Sequence, residues 1–518
     1  MSFSVLSSTA ELHQWRKHQQ SSVHFVPTMG ALHRGHGQLI KSVQGFDSLQ
    51  PAAVLVSVFV NPLQFGPAED FDSYPRDLEA DCELASRSGA SALWAPSVDQ
   101  VFPGGASSQF RIQVPSHLQA HLCGASRPGH FDGVATVVAR LLALVRPEVL
   151  VLGEKDWQQL VILRHLVAQL GLPVRVHGVA TVRDDDGLAC SSRNRYLMTQ
   201  QRQQALALPQ LLARAARESQ DGRAVDLAGL RCAWEQLGLE VEYVETVDAF
   251  NLQPLHAGRK LCLLAAAVRC GETRLIDHTF LMSRQPIVAI DGPAGAGKST
   301  VTRAFAERLG LLYLDTGAMY RAVTWLTQQH DVDSHDPVAV KTILENLELE
   351  LEPSQSGAQT VRINGHDVTE AIRSPEVTSS VSVVAAHGCV RKALTAQQQR
   401  MGVRGGLVAE GRDIGTAVFP DAELKVFLTA SPAERARRRA LDLDNRGFPV
   451  PDLAELETQI EERDRMDSTR EVAPLRQAED ATELISDGMT IEEVIETLID
   501  LFRVQVPEEV WPRPTAGS

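Results

Sequence analysis

The chain has 518 residues, too many for one hydrophobic core, so we expect two or three domains. Its formal net charge of -15 argues against non-specific binding to nucleic acid or to an anionic membrane. Its seven cysteines form no C-x-x-C pair, no apolar run reaches transmembrane length, and the N-terminus lacks a signal segment. These features predict a cytoplasmic protein with reduced thiols and with no nucleic-acid or membrane partner.

The first half of the chain alternates strand-like apolar runs with helical patterns. The apolar runs lie at residues 23–26, 53–60, 149–152 and 174–179, and helical patterns at 133–145 and 159–170 lie between them. This alternation predicts a doubly wound, Rossmann-like α/β domain over residues 1–198. Beyond it, a helical pattern at 200–220 and strand-like runs at 240–248 and 260–268 predict a small α+β domain, residues 199–283.

The second half of the chain, residues 284–518, is predicted to be another α/β domain. It opens with a strand-like run at residues 287–290, a glycine-rich loop and an amphipathic helical pattern. An alternating segment at 349–367 contains Asn364-Gly365, which predicts a hairpin within a small β insertion. The tail at 506–518 is rich in proline and polar residues, and we expect it to be loose.

A turn with two histidines, PTMGALHRGH at residues 27–36, follows the first of these strands and opens a helix. The free N–H groups and the dipole of a helix start favour phosphate, and imidazole donors stabilise charge on a triphosphate in the transition state. His33 and His36, three residues apart, project to one side of this first turn, and the H-x-G-H arrangement resembles the HIGH signature of nucleotidyl-transfer enzymes. The alternative for this motif alone is two surface histidines beside a turn glycine.

Polar segments follow other predicted strands of the first half. FVNPLQF at residues 59–65 and GEKDWQQ at 153–159 supply amides and the ammonium of Lys155, and CSSRN at 190–194 supplies hydroxyls and a guanidinium. Open α/β sheets bind ligands at the carboxyl ends of their strands. Each segment alone is equally well a solvated loop, but together they predict a site for phosphate and a small polar acid.

With these motifs and RPGHFDGVATVV at residues 127–138, the first half resembles pantothenate synthetase over residues 1–283. The resemblance implies ATP-dependent condensation of (R)-pantoate with β-alanine through a pantoyl adenylate, with release of diphosphate and then AMP. It also implies that residues 199–283 close over the site and that the protein is a homodimer through its N-terminal half.

The resemblance assigns roles at the matching motif positions of the first half. His36 would be the proton donor, His33 and Lys155 would also be catalytic, and Gln64 and Gln159 would hold pantoate or β-alanine. The implied ATP contacts are Met29, Gly30, Ala31, Leu32, His33, Arg34, Gly35, His36, Gly153, Glu154, Lys155, Asp156, Val182, Cys190, Ser191, Ser192 and Arg193.

The glycine-rich loop of the second half, GPAGAGKS, fits the pattern G-x-x-x-x-G-K-[ST] in full and lies between a predicted strand and helix. In such a loop backbone N–H groups cradle phosphate, the lysine (Lys298) reaches the β- and γ-phosphates, and the hydroxyl (Ser299) coordinates Mg²⁺. ATP is therefore expected as a substrate and Mg²⁺ as its metal, with Lys298 catalytic. The predicted ATP contacts are Gly292, Pro293, Ala294, Gly295, Ala296, Gly297, Lys298, Ser299 and Thr300.

Three further segments indicate which molecule accepts the phosphoryl group of ATP. They are LDTGAMYR at residues 314–321, EGRDIGT at 410–416 and ERDRMDSTR at 462–470. With them, residues 285–505 resemble bacterial cytidylate kinase, which implies transfer of the γ-phosphoryl group of ATP to CMP or dCMP and a lid near residues 432–450. The implied CMP contacts are Thr316, Arg321, Arg391, Arg412, Asp413, Arg463, Asp467 and Arg470.

Together the two resemblances predict a bifunctional enzyme, a fusion associated with cyanobacteria. Two alternatives remain open at this point. The first keeps both folds but changes the substrates, to another nucleotidyl transfer or to a kinase for UMP or AMP. The second makes one half a non-catalytic scaffold that binds nucleotide or a partner. Several intact residues argue against it: His33, His36, Lys155, Lys298 and Asp413.

Overall fold

The computed structural model describes residues 3–43, 52–66, 71–255, 261–345, 347–352, 359–445, 447 and 449–512. The chain divides into two compact units. The first unit comprises Met1–Ser283 together with Pro507–Val510, and the second comprises Arg284–Val506 and Trp511–Ser518. None of the helices in the described ranges combines the length and the apolar character that a membrane span requires.

The first unit contains strands and helices in alternation. Its strands are β1 (Ser4–Leu6), β2 (Val23–Thr28), β3 (Ala53–Val58), β4 (Ala92–Trp94), β5 (Val149–Gly153), β6 (Arg175–Val179), β7 (Glu240–Asp248), β8 (Cys262–Cys270) and β9 (Thr273–Leu281). Its helices are α1 (Thr9–His18), α2 (Arg34–Ser42), α3 (Leu78–Arg87), α4 (Val98–Val101), α5 (Ser116–Gln119), α6 (Leu122–Ser126), α7 (His130–Val145), α8 (Trp157–Gln169), α9 (Thr199–Ala205), α10 (Ala207–Gln220) and α11 (Leu227–Gln236).

Strands β1 to β6 form one parallel sheet in the order β1-β4-β3-β2-β5-β6, which confirms the Rossmann-like prediction. The central strands are apolar along nearly their whole length because both faces of the sheet are covered: Phe25 of β2 packs into one core cluster and its neighbour Val26 into another. The strand order reverses between β2 and β5, and such a switch point leaves a crevice at the carboxyl ends of the strands.

The small α+β region carries the antiparallel sheet β7-β8-β9. The sequence pattern missed β9, because buried polar residues such as Asp277 and His278 interrupt its apolar alternation. The helix predicted at residues 200–220 is two helices, α9 and α10, since Pro209 has no N–H to continue the hydrogen bonding of α9. Position 260, the predicted start of the second strand, lies outside the described residues.

The second unit also contains both strands and helices. Its strands are β10 (Ile287–Asp291), β11 (Leu312–Asp315), β12 (Leu349–Glu352), β13 (Thr360–Ile363), β14 (His366–Asp367), β15 (Leu407–Gly411), β16 (Leu424–Thr429) and β17 (Thr482–Ile485). Its helices are α12 (Lys298–Leu309), α13 (Thr316–Gln329), α14 (Pro337–Ile343), α15 (Pro375–Ala386), α16 (Gly388–Met401), α17 (Pro432–Asn445), α18 (Leu453–Thr469) and α19 (Ile491–Gln505).

A five-stranded parallel sheet, β11-β15-β10-β16-β17, forms the core of the second unit. The glycine-rich loop joins its central strand β10 to α12, in the order that the motif predicts. Strands β12, β13 and β14 form a separate antiparallel sheet, and Asn364 (φ 48°) and Gly365 (φ 80°) make its predicted hairpin turn. Residues 353–358 of the predicted insertion, and residues 446 and 448 of the predicted lid, lie outside the described residues.

The tail is not loose where it is described, so this prediction is wrong for residues 506–512. Helix α19 runs to Gln505, and Val506, Pro507 and Glu508 after it are buried. Val510 packs against the core of the first unit. The proline-containing segment that suggested a loose tail instead packs an apolar side chain, Val510, against the core of the first unit. It also carries Glu508, whose carboxylate is hydrogen-bonded to that unit. Residues 513–518 lie outside the described part of the chain.

Candidate active sites

The turn after β2 is fixed by a buried carboxylate from α3. Asp81, 2% exposed, accepts hydrogen bonds from the N–H groups of Ala31 (3.1 Å) and Leu32 (2.6 Å). Gly30 (φ 85°) is required here, since a Cβ at this position would lie 2.9 Å from Oδ2 of Asp81. Asp81 therefore holds the turn that leads into α2. The sequence analysis did not assign it, because nothing local shows that this helical carboxylate points at a turn fifty residues away.

The two histidines lie side by side at the start of α2, with ring centroids 4.1 Å apart. Nδ1 of His33 accepts the N–H of Gly35 (3.1 Å), and Nδ1 of His36 accepts the N–H of His33 (3.2 Å). Because both Nδ1 atoms accept, each neutral ring carries its proton on Nε2.

The surroundings keep both rings neutral. Burial, reinforced by the ammonium of Lys155, lowers the pKa of His33 to about 4. Burial, the neighbouring His33 and then Lys155 hold the pKa of His36 well below its ordinary value. Near neutral pH the pair therefore offers two N–H donors without positive charge, close to one lysine.

A cavity of about 690 Å³ in the first unit brings several predicted site residues together. Lys155, Asp156, Gln159, Ser191 and Arg193 line it, and its volume suits a nucleotide-sized ligand. Nζ of Lys155 lies 3.6 Å from Oδ1 of Asp156. Although burial acts in the opposite direction, the cations Lys155 and Arg193 lower the pKa of Asp156, so its carboxylate stays charged.

The CSSRN loop beside this cavity is held by a second carboxylate that the sequence analysis missed. Asp184 accepts from Sγ of Cys190 (3.1 Å) and from Nη2 of Arg202 (2.8 Å). The N–H of Cys190 donates to the carbonyl of Val182 (2.9 Å), which brings two predicted ATP-contact positions together. The hydroxyl of Ser191 caps the short 3₁₀ turn that follows.

Gln64 lies next to the histidine turn rather than at the cavity. Its Nε2 donates to Sδ of Met29 (2.9 Å), and its Oε1 accepts from Asn61 (3.1 Å). Nδ1 of His130, in the RPGHFDGVATVV segment, donates to the backbone carbonyl of Gln64 (2.8 Å). Within the described residues, the cavity lining includes Gln159 but neither Gln64 nor the two histidines. The predicted pantoate contacts thus lie in two neighbouring places.

The phosphate-binding loop of the second unit is closed over its own lysine. Nζ of Lys298 donates to the carbonyls of Gly292 (2.8 Å) and Pro293 (2.7 Å). Burial, followed by repulsion from Arg412, lowers the pKa of Lys298. A Cβ on Gly292 would lie 2.0 Å from the carbonyl oxygen of Leu428, so this first glycine cannot be replaced without moving β16.

Glu410, at the end of β15, contacts the loop hydroxyl. Its Oε1 accepts from Oγ of Ser299 (2.6 Å) and from the hydroxyl of Tyr313 (2.9 Å), while its buried Oε2 has no hydrogen-bond partner among the described residues. Burial and the nearby Asp315 raise the pKa of Glu410. The described residues contain no cluster of three or more His, Cys, Asp or Glu suited to a metal ion. A hydroxyl and one carboxylate do fit Mg²⁺, which keeps most of its water and phosphate ligands.

The predicted CMP residues form one network of ion pairs in the second unit. Asp413 pairs with Arg391 and, at 3.6 Å, with Arg470. Asp467 pairs with Arg412 (3.0 Å) and Arg470 (3.8 Å). Burial and then repulsion from Arg412 lower the pKa of Arg463. Three arginines thus pair with two aspartates, and the positive excess suits an anionic phosphate.

The other two predicted CMP residues lie at the start of α13. Oγ1 of Thr316 donates to the backbone carbonyl of Glu410 (2.7 Å), and Arg321 pairs with Asp315 (3.0 Å). The arginine-rich helix α17 contacts the phosphate loop, because Arg435 donates to the carbonyl of Ala294 (3.1 Å) and Arg438 to that of Ala296 (3.2 Å).

Asp291 connects the phosphate loop to the EGRDIGT segment. The carboxylate of this last residue of β10 accepts the N–H groups of Ile414 (2.8 Å) and Gly415 (2.7 Å). Burial raises the pKa of Asp291 to about 6. The carboxylate therefore fixes the π-helical turn Ile414–Val418 that follows Asp413, a role that the strand pattern alone did not show.

Comparisons with known proteins cover both units. A family model described as pantoate-beta-alanine ligase matches residues 4–280, and one described as cytidylate kinase matches residues 288–504. A solved pantothenate synthetase from Thermus thermophilus is 42% identical and covers 53% of this chain and 98% of its own, with a TM-score of 0.48.

Relatives match nearly the whole chain. A protein of Prochlorococcus marinus (strain MIT 9313), described as a bifunctional pantoate ligase/cytidylate kinase, is 98% identical over 98% of this chain and 100% of its own length. A protein of Synechococcus sp. (strain CC9311) with the same description is 66% identical over 95% of this chain and 100% of its own length. With both domain matches in sequence and relatives of this identity over nearly its full length, the chain belongs to the family of bifunctional pantoate ligase/cytidylate kinases.

Proposed function

We propose that the two activities of this bifunctional enzyme reside in separate units, each with its own ATP site. Residues 1–283 carry the pantoate–β-alanine ligase, and residues 284–506 carry the cytidylate kinase. The observation that supports this division is that each unit has its own parallel sheet with a phosphate-binding turn at the carboxyl end of a central strand, after β2 in one and after β10 in the other.

In the ligase unit, the carboxylate of (R)-pantoate attacks the α-phosphate of ATP, and diphosphate leaves. The amine of β-alanine then attacks the acyl carbon of pantoyl adenylate, and AMP leaves. A free carboxylate is a poor acyl donor, so adenylation supplies the leaving group. Gln64 and Gln159 are the amides that hold pantoate, next to the histidine turn and in the cavity respectively.

In the ligase unit, both neutral and cationic donors stabilise the negative charge on the phosphates. His33 and His36 present Nε2–H groups toward the negative charge that develops on the phosphates, with His36 as the donor at the leaving oxygen. Lys155 and Arg193 neutralise phosphate in the cavity. The remaining ATP contacts are assigned to residues 29–36, 153–156, 182 and 190–193, the loops that Asp81 and Asp184 hold.

In the kinase unit, Lys298 leaves the two loop carbonyls and reaches the β- and γ-phosphates of ATP, while N–H groups of residues 292–300 cradle them. The network around Asp413 and Asp467 binds CMP or dCMP, with arginines on the acceptor phosphate and aspartate oxygens left for sugar or base groups. Helix α17 is part of the lid, whose closure excludes water so that ATP is not hydrolysed.

Ser299 and Glu410 are the residues that would hold Mg²⁺ in the kinase unit, because a hydroxyl and a buried carboxylate oxygen lie together at the end of the phosphate loop. The ion, when bound, neutralises charge on the phosphates of ATP.

We also propose a homodimer through the first unit, which rests on the family resemblance, and a cytoplasmic location, which the seven free cysteines favour. Light scattering on the purified chain tests the dimer.

Two assays on the purified full-length chain test the assignment. AMP release must require both pantoate and β-alanine, and ADP release must require CMP or dCMP. Panels of other carboxylic acids and of UMP and AMP decide whether the substrates are those proposed. Equal turnover of UMP and CMP would contradict the acceptor, and AMP release without pantothenate would contradict the ligase reaction.

A further inference from the structure

Four residues from the far end of the chain belong to the first unit. Pro507–Val510, which we call the C-terminal strap, groups with Met1–Ser283, and it lies beyond residue 504, where the match to the kinase family ends. Val510 packs against the core cluster of that unit, and Glu508 is 9% exposed. This segment is therefore a built part of the first unit.

The strap supplies both hydrogen bonds that a buried carboxylate of the ligase site receives in the described structure. Glu154, 1% exposed, accepts the N–H of Glu508 at Oε1 (2.8 Å) and the N–H of Glu509 at Oε2 (2.9 Å). Glu154 begins the 3₁₀ turn Glu154–Asp156 at the end of β5. It directly precedes Lys155 and Asp156, which line the cavity.

The strap is held in turn by the end of β6 and by β9. Oε2 of Glu508 accepts the N–H of Ala180 (3.3 Å), and Oε1 of Glu509 accepts the N–H of Thr181 (2.9 Å). The other carboxylate oxygen of Glu509 lies 3.4 Å from Nε2 of His278. The strap thus joins the turn that carries Lys155 to the backbone that leads toward Val182 and the CSSRN loop.

The environment of Glu154 makes these two donors important. Burial and the carboxylate of Glu509 raise the pKa of Glu154 to about 8, and the two N–H groups of the strap act in the opposite direction. Arg164 also interacts electrostatically with Glu154. Without the strap, a buried carboxyl would lose its donors and would have to turn toward water. A side-chain movement there would displace the adjacent Lys155.

We propose that the C-terminal strap is a positioning element of the ligase site, which holds the Glu154–Asp156 turn so that Lys155 and Asp156 face the ATP phosphates. The proposal rests on the assignment of Lys155 to the ligase site. It makes ligase activity depend on residues that follow the whole kinase sequence.

The test uses the full-length chain with Glu508→Ala/Glu509→Ala. This variant removes the two carboxylates that accept hydrogen bonds from residues 180 and 181 and leaves Trp511 unchanged. The matched control, Glu479→Ala/Glu483→Ala, removes two exposed glutamates of the second unit. We expect the strap variant to lose about 10- to 100-fold in ligase kcat/KM for ATP, the size of a misplaced catalytic group, with kinase kcat/KM as in the control.

A double-mutant cycle with Glu154→Gln separates positioning from general stability. If the strap acts through Glu154, the losses of the two variants are not additive in ligase kcat/KM. Additive losses, an unchanged ligase, or an equal fall of both activities together with the unfolding temperature would each overturn the proposal. Lys155→Ala is measured alongside: if it keeps full ligase activity, the site assignment itself fails, whatever the strap variant shows.

Discussion

The two phosphate-binding turns of this enzyme occupy the same place in their sheets but are built with different charges. The ligase turn after β2 presents two neutral imidazoles and is held by the carboxylate of Asp81. The kinase loop after β10 encloses a lysine, and three arginines pair with Asp413 and Asp467 in the same unit. On the proposed assignment, the shared fold position sets where phosphate binds, while the side chains set the reaction.

The difference follows from what each unit must do with negative charge. The ligase releases diphosphate from a single nucleotide, and in the proposed site neutral N–H donors act beside two cations, Lys155 and Arg193. The kinase must bring two anionic nucleotides together, which requires a surplus of cations before the reaction begins.

Lys298→Ala should abolish phosphorylation of CMP, with a loss of about 10³-fold or more, because the loop GPAGAGKS has no other cationic side chain to reach the β- and γ-phosphates. Pantothenate synthesis should survive. The measurement is ADP release with CMP and AMP release with pantoate and β-alanine on the same preparation. Lys392→Ala, an exposed lysine of α16, serves as the control and should retain both activities.

His36→Ala should have the reverse effect, a loss of about 10²- to 10³-fold in ligase kcat, the size expected for one preorganised donor to developing charge. Kinase activity should be unchanged. His13→Ala, an exposed histidine of α1, is the matched control. Loss of both activities in the His36 variant, with the fold intact by circular dichroism, would contradict two independent sites.

Asp413→Asn should raise the KM for CMP by about 10-fold, because buried Arg391 and Arg470 lose the charge that orients them. The kinase unit should also unfold at lower denaturant concentration, since an uncompensated guanidinium remains buried. Steady-state kinetics and urea unfolding measure the two effects. Glu370→Gln is the control, because its ion pair with Arg373 is exposed. It should change the free energy of unfolding by less than about 1 kcal/mol.

The smallest expected effect is a pH dependence of stability from His33. Its folded pKa of about 4 lies below the ordinary value of 6.5, so the unfolded chain binds the proton more readily. The free energy of unfolding is therefore highest above pH 6.5, where His33 is neutral in both states, and it falls as the pH falls toward 4. Urea unfolding of the parent and of His33→Gln at several pH values measures it, and an identical pH dependence in both would contradict a neutral buried ring.

Contiguous motifs made much of this molecule predictable from sequence. The loops at residues 27–36, 292–299 and 410–416 are compact signatures, and the structure places each at the end of a parallel strand. The hairpin at Asn364-Gly365 was likewise predictable because its turn chemistry is local. The roles of individual site residues in catalysis and binding stay predictions until they are measured.

The contacts that sequence reasoning missed join residues far apart in the chain. Asp81 binds a turn some fifty residues earlier, Glu410 binds a hydroxyl more than a hundred residues away, and Glu154 receives its donors from residues 508 and 509. Each is an ordinary acidic residue in its local context. No periodicity or spacing rule shows which distant backbone such a carboxylate will meet.

The strap also affects how the protein is made. The first 283 residues leave the ribosome first, but the four residues that complete their unit are synthesised more than two hundred residues later. At ordinary rates of translation this delay is on the order of tens of seconds. In the nascent ligase Glu154 therefore lacks these partners until residues 507–510 have been made, and separating the two coding regions at the junction would leave it permanently in that state.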